Sequence, residues 1–90
     1  MLIINTRGCQ MKIYDFEGKK NISGDRIREA RIKRRWSQST LAQKLQLEGI
    51  TIERDSISRI ENGTRFVPDY EIKILAEIFD VPAQWLLGIE

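Results

Sequence analysis

From Ile27 onward, apolar residues recur in short bursts at helical spacing, separated by polar stretches. Ile27 and Ala30 form a first stripe, with Arg31 and Arg34 on the same face. Leu41, Ala42 and Leu45 stand at i, i+1 and i+4, and Ile57 and Ile60 at i and i+3. Each of these segments presents one narrow apolar face to a core and leaves the other polar. Ile72, Leu75, Ala76 and Phe79 follow at i, i+3, i+4 and i+7, and Val81-Pro82 leads into a short last segment carrying Trp85 and Leu86. The pattern predicts an all-α fold, a five-helix bundle over residues 21–90, preceded by an N-terminal arm over residues 1–20. Within the arm, Leu2 to Asn5 and Gln10 to Phe16 are short apolar or alternating runs separated by Thr6-Arg7-Gly8. These fit either a small hairpin or a flexible arm, an isolated hairpin being marginal in water.

The polar residues between the stripes mark the helix ends. Asn21 or Ser23 can cap the first helix by accepting a hydrogen bond from a free backbone N–H. That helix is expected to end near Arg35, where Lys33, Arg34 and Arg35 complement the negative end of its dipole. Trp36 then turns the chain inward, and Ser37 caps a second helix whose first turn holds Gln38. The third helix stops at Asn62-Gly63, a left-handed C-terminus, and the fourth begins after Pro68. Trp36, Phe79 and Trp85 are read as core residues. Small Ala42 allows the second and third helices to cross closely and steeply, so that the third protrudes far enough to enter a major groove about 12 Å wide.

Ninety residues with 41% hydrophobic content suffice for one core of modest size and leave no room for a second domain. The net charge of +2 is too small to argue for a polyanionic partner, but its distribution is uneven. Between Asp25 and Arg35, Arg26, Arg28, Arg31, Lys33, Arg34 and Arg35 outnumber Asp25 and Glu29. From Phe66 to Glu90 a single Lys73 opposes Asp69, Glu71, Glu77, Asp80 and Glu90. One end of the domain suits phosphates and the other repels them, although an ordinary solvated helix face accounts for such runs as well. Cys9 is the single cysteine and histidine is absent, so no intramolecular disulfide forms and zinc is not expected. Leu2-Ile3-Ile4 is too short for a secretory segment, and no run approaches the roughly 20 apolar residues of a membrane span. The expectation is a soluble, cytoplasmic protein with no membrane partner.

The run from Ile27 to Leu87 resembles the lambda-repressor-like helix-turn-helix domain of the Cro and Xre type, found in phage repressors and many bacterial regulators. The resemblance rests on Ile27 to Arg31, Ser37-Gln38 with Leu41-Ala42, Ile57-Ser58 with Ile60-Glu61-Asn62-Gly63, Pro68, Leu75-Ala76, and Val81 with Trp85-Leu86-Leu87. It covers about two thirds of the chain, with many elements in the right order. By resemblance, Ser37 and Gln38 lie at a phosphate, and Gln38 supports the recognition helix. Arg54, Asp55, Ser56 and Arg59 face the groove, and Asn62, Thr64 and Arg65 hold the far backbone. This is coherent chemistry, because short polar side chains and helix N-termini bind phosphate oxygens and arginine pairs bidentately with guanine O6 and N7. Plainer readings exist too: Asn62 as a helix stop, Ser56 as a first-turn residue, and Asp55 as a favourable charge near a helix N-terminus. Arg31 and Glu61 fall on inward-facing positions, and the resemblance implies an ion pair joining the first helix to the end of the third.

The chain departs from the family pattern between Leu45 and Ile52. Gln46-Leu47-Glu48-Gly49-Ile50-Thr51 stands where the usual turn has about one residue. Ile52 keeps the usual spacing to Ile57, which places the extra residues in the turn, with the second helix running on through Leu47 and Gly49 reversing the chain. Glu53 then occupies the cap position of the third helix, where it is a poor cap that Thr51 can replace.

The function implied is that of a sequence-specific regulator, expected to be a repressor, binding a double-stranded DNA operator as a homodimer, because one such helix buries too little surface to specify a site alone. No catalysis, cofactor, metal or small-molecule substrate is expected: histidine, a metal-ligand cluster and a phosphate-cradling glycine loop are all missing from the sequence. The rival is a protein-interaction module, such as an antitoxin-like partner, using the same fold and an apolar patch around Val81 to Leu87. On such a module Arg54, Ser56 and Arg59 would have no role. RNA is disfavoured because no exposed aromatic pair is expected for base stacking.

Overall fold

In the computed structural model, which describes residues 16–89, five helices follow one another: α1 (Gly24–Lys33), α2 (Gln38–Leu47), α3 (Arg54–Asn62), α4 (Asp69–Phe79) and α5 (Ala83–Leu86). Outside them, among the described residues, Phe16 and Lys19 form an isolated antiparallel bridge. α3 packs on both α1 and α2, while α4 lies against α1 and α2 and carries α5 back onto α1. The apolar stripes meet in one core. Ile27, Leu41, Leu45, Ile57, Ile60, Leu75, Phe79 and Leu86 are essentially fully buried, with Ala30, Ala42 and Ala76 filling the close helix contacts. The hairpin reading around Thr6 to Gly8 lies outside the described residues. A reversal does stand at Glu17-Gly18, where both residues have positive φ and Phe16 and Lys19 exchange backbone hydrogen bonds of 2.7 and 2.9 Å. Lys20 N–H then donates to the Gly63 carbonyl at 2.7 Å, tying residues 16–20 to the end of α3.

The helix ends follow local chemistry. Of the two candidate caps of α1, Ser23 makes no side-chain cap bond and is buried, whereas Asn21 Oδ1 accepts from Gly24 N–H at 2.8 Å. Gly24 is a point of close approach: a Cβ there would overlap the Ile60 carbonyl oxygen, so α1 can begin against the end of α3 only without a side chain. Ser37 caps α2, its Oγ accepting from Thr40 N–H at 3.0 Å. At the end of α3, Gly63 takes φ +82°, and Gly63 and Thr64 N–H bond back to the Ile60 and Arg59 carbonyls.

The long link between α2 and α3 is accommodated by structure rather than by slack. α2 runs on to Leu47, Gly49 reverses the chain at φ +91°, and Ile50 N–H returns to the Leu45 carbonyl at 3.0 Å. Ile52 is buried, Ile50 packs against the core, and Gln46 Nε2 donates to the Ile52 carbonyl at 2.6 Å. The cap position of α3 is Glu53, and its side chain makes no cap bond. Thr51 is exposed and lies before that position, so it does not take over as cap. Phe79 is fully buried, and Trp36 and Trp85 pack against the core from its margin, half-buried, with Trp36 stacking on Phe79 at 5.8 Å between ring centroids and cationic side chains lying over both indoles: Lys44 and Arg34 over Trp36, and Arg26 over Trp85.

Candidate nucleic-acid interface

α3 turns Ile57 and Ile60 into the core, and a nine-residue helix anchored on one side must present its other side outward. Arg54, Asp55, Arg59 and Asn62 are exposed, with Ser56 and Ser58 half-buried at the flanks. Arg54 is not isolated: Nη2 lies 3.3 Å from Asp55 Oδ1, and Nη1 donates to Gln38 Oε1 at 3.4 Å. Both members of the Arg54 and Asp55 pair are largely in water, so their mutual attraction is weak and both remain able to change partner. Arg59 has no side-chain partner among the described residues.

Beneath that face lies a polar network. Arg31 from α1 and Glu61 from α3 form a two-pronged pair, Nε to Oε2 at 2.6 Å and Nη2 to Oε1 at 3.0 Å, with side chains only 12% and 4% exposed. The remaining Arg31 prong donates to the Trp36 carbonyl at 2.8 Å, and Gln38 Nε2 donates to Glu61 Oε1 at 3.1 Å. Gln38 therefore joins two layers. Its amide nitrogen binds the buried pair, and its oxygen receives the exposed Arg54. Ser37, exposed beside it, supplies the cap of α2 and also donates through Oγ to Thr40 Oγ1.

The far edge of the surface is the loop after Gly63. Thr64 is exposed, its hydroxyl 3.3 Å from the Arg59 carbonyl. Arg65, expected on the DNA backbone, directs its fork inward: Nη1 and Nη2 donate to the two Glu71 carboxylate oxygens at 2.9 and 3.2 Å, and Nη1 also reaches the Phe66 carbonyl. Glu71 is 3% exposed. Sequence reasoning misses this burial, although Glu71 stands four positions before Leu75 and so heads the apolar stripe of α4, which requires a cationic partner nearby. Asn21, legible in the sequence only as a cap, does more than cap, since it also donates through Nδ2 to the Ile60 and Arg65 carbonyls. Phe66 and Tyr70 are exposed, contrary to the expectation of no exposed aromatic pair; Lys20 Nζ covers one face of Phe66 at 5.3 Å from its centroid.

Among the described residues no cluster of His, Cys, Asp or Glu is arranged to hold a metal ion, and no helix is long and apolar enough to cross a membrane. Neither the curated proteins nor the solved structures yield a match to the chain. Its sequence does match a family of helix-turn-helix domains over residues 24–88, the span from the first residue of α1 to just past α5, in keeping with the Cro and Xre resemblance. With that match covering well over half of the chain, and with α2 and α3 packed against each other, the protein belongs to the helix-turn-helix domain family.

Proposed function

We propose that the protein is a sequence-specific regulator that places α3 in the major groove of double-stranded DNA and binds a two-fold-related operator as a homodimer. Membership of the helix-turn-helix family supports the DNA partner. The observation that carries the finer reading is the outward face of α3, where Arg54, Asp55, Arg59 and Asn62 stand exposed opposite the buried Ile57 and Ile60. Arginine and carboxylate side chains between them address guanine and cytosine edges in the major groove. Ser37 and Gln38 at the head of α2, and Asn62 and Thr64 at the far edge, lie on either side of that face and meet the flanking phosphates, which fix register without carrying sequence information. Ser56 and Arg65 take lesser parts, one half-buried and the other engaged by Glu71. Two copies are needed because one short helix reads too few base pairs, and a dimer sets half-sites about one helical turn apart.

Selection of bound sequences from a random duplex pool tests this reading. The expected product is a motif of two inverted half-sites, with affinity falling along log salt by about 0.9 per neutralised phosphate. A pool without enrichment, and duplex binding that ignores salt, would refute it in favour of a protein-interaction module.

A further inference from the structure

We propose that Asn21 is a positioning residue for DNA binding: its carboxamide holds the loop after Gly63 where that loop meets the phosphodiester backbone. The inference rests on the DNA reading above. Asn21 uses all of one amide group on three separate elements. Oδ1 accepts from Gly24 N–H at 2.8 Å, at the start of α1. Nδ2 donates to the Ile60 carbonyl at 3.0 Å, in the last turn of α3, and to the Arg65 carbonyl at 2.8 Å, in the loop that follows. Capping α1 requires only the oxygen, which Ser or Asp supplies as well as Asn. The two donated bonds, to partners 39 and 44 positions away, serve the loop and need the amide nitrogen.

The same loop is gripped from other sides. Lys20 N–H holds the Gly63 carbonyl, Thr64 N–H holds that of Arg59, and buried Glu71 takes both terminal nitrogens of Arg65. Backbone and side chain are therefore fixed inward while Asn62 and Thr64 remain exposed outward. A loop already ordered in the free protein loses less conformational freedom when it engages a phosphate, so its hydrogen bonds retain more of their gain.

Two substitutions separate loop from cap. Asn21→Asp and Asn21→Ser both retain an oxygen for Gly24 N–H and remove the Nδ2 donors, and the serine variant adds no charge that could itself repel DNA. Duplex titrations across a salt series, at a temperature where circular dichroism shows each protein folded, are expected to give weaker binding with the wild-type salt slope, because Asn62 and Thr64 are neutral and release no counterions when they meet a phosphate. The affinity is expected to fall about two- to ten-fold at every salt concentration, the worth of one neutral hydrogen bond to a phosphate. The reduction is expected to be equal on the operator and on a scrambled duplex, with faster amide exchange at Thr64 and Arg65 in the free protein. Should the aspartate variant fail to fold, the serine variant carries the test. Wild-type affinity in folded variants, or a reduction confined to the operator, would overturn the role of Asn21 alone. A wild-type protein without salt-dependent duplex binding would remove the DNA reading and this inference with it.

Discussion

Replacing Glu61 with glutamine changes one atom of a side chain that is only 4% exposed, and leaves Arg31, 12% exposed, facing a neutral amide. The wild-type carboxylate accepts two bonds from Arg31, at 2.6 and 3.0 Å, and a third from Gln38. Glutamine can accept at one oxygen only, and in either orientation its NH2 group meets an Arg31 N–H, in one of them the Gln38 amide as well. Removing one partner of a buried ion pair costs about 3–5 kcal/mol, and the acceptor that remains recovers part of this, giving a destabilisation of about 2–4 kcal/mol. At about 4–8 °C per kcal/mol for a domain of this size, Tm is expected to fall by roughly 10–25 °C. Thermal unfolding followed by circular dichroism measures it. DNA affinity, assayed well below the new Tm, is expected to change far less, because the one acceptor that glutamine keeps still holds α3 in register. The double replacement Arg31→Met, Glu61→Leu is expected to recover most of the stability, since apolar packing substitutes for a buried pair at little cost once neither charge is stranded. An unchanged Tm for Glu61→Gln, accompanied by collapse of DNA binding, would refute the structural role and make the carboxylate part of the interface itself.

The remaining expectations concern one backbone approach and one base-reading side chain. Gly24→Ala inserts a methyl group against the Ile60 carbonyl, and although alanine gains about 1 kcal/mol in helix propensity, overlap with backbone is expected to leave a net destabilisation of about 1–3 kcal/mol; a raised Tm would show that α1 does not approach α3 so closely. Arg59→Ala is expected to cost about 1–3 kcal/mol on the selected operator and much less on a scrambled duplex at the same salt, whereas equal effects on both would make Arg59 a phosphate-binding residue and leave base reading to Arg54, Asp55 or Ser56.

How much of the molecule is legible in its sequence depends on the range of the interactions involved. The Ser37 cap, the Gly63 stop and the apolar stripes of α2, α3 and α4 are local, written in residues within one or two helical turns, and each stands where its spacing places it. The extra residues before Ile52 also yield to local reading, because Gly49 marks the only ready reversal after Leu47. Asn21 and Glu71 do not. Their partners are a carbonyl 44 positions away and a guanidinium from the preceding loop, and no periodicity encodes which buried polar group meets which. Arg65 misleads for the same reason: a cation in a surface loop reads as solvent-facing until a buried carboxylate is found beneath it. The half-burial of Trp36 and Trp85 is hidden too, since burial of a large ring depends on how much of its perimeter neighbouring cations cover rather than on its hydrophobicity.

The polar network under α3 bears on orientation as well as on stability. Ile57 and Ile60 bury against α1 and α2 and choose the face that α3 turns inward, but hydrophobic contact is non-directional and tolerates small rotations of α3 about its axis. A shift by one residue turns the helix by about 100° and carries Glu61 away from Arg31, stranding two buried charges at about 3–5 kcal/mol. Gln38 extends that penalty outward, because the amide that bonds Glu61 also receives Arg54 on the exposed face. The inward pair thereby sets the angle at which Arg54, Asp55 and Arg59 leave the surface. At the other end of the helix Gly63, Asn21 and the Arg65 pair with Glu71 fix where the chain turns away. A short helix held in angle by one buried pair and in position by one clamped loop presents its outer side chains in a single geometry, which reading base edges requires and which apolar packing does not supply by itself.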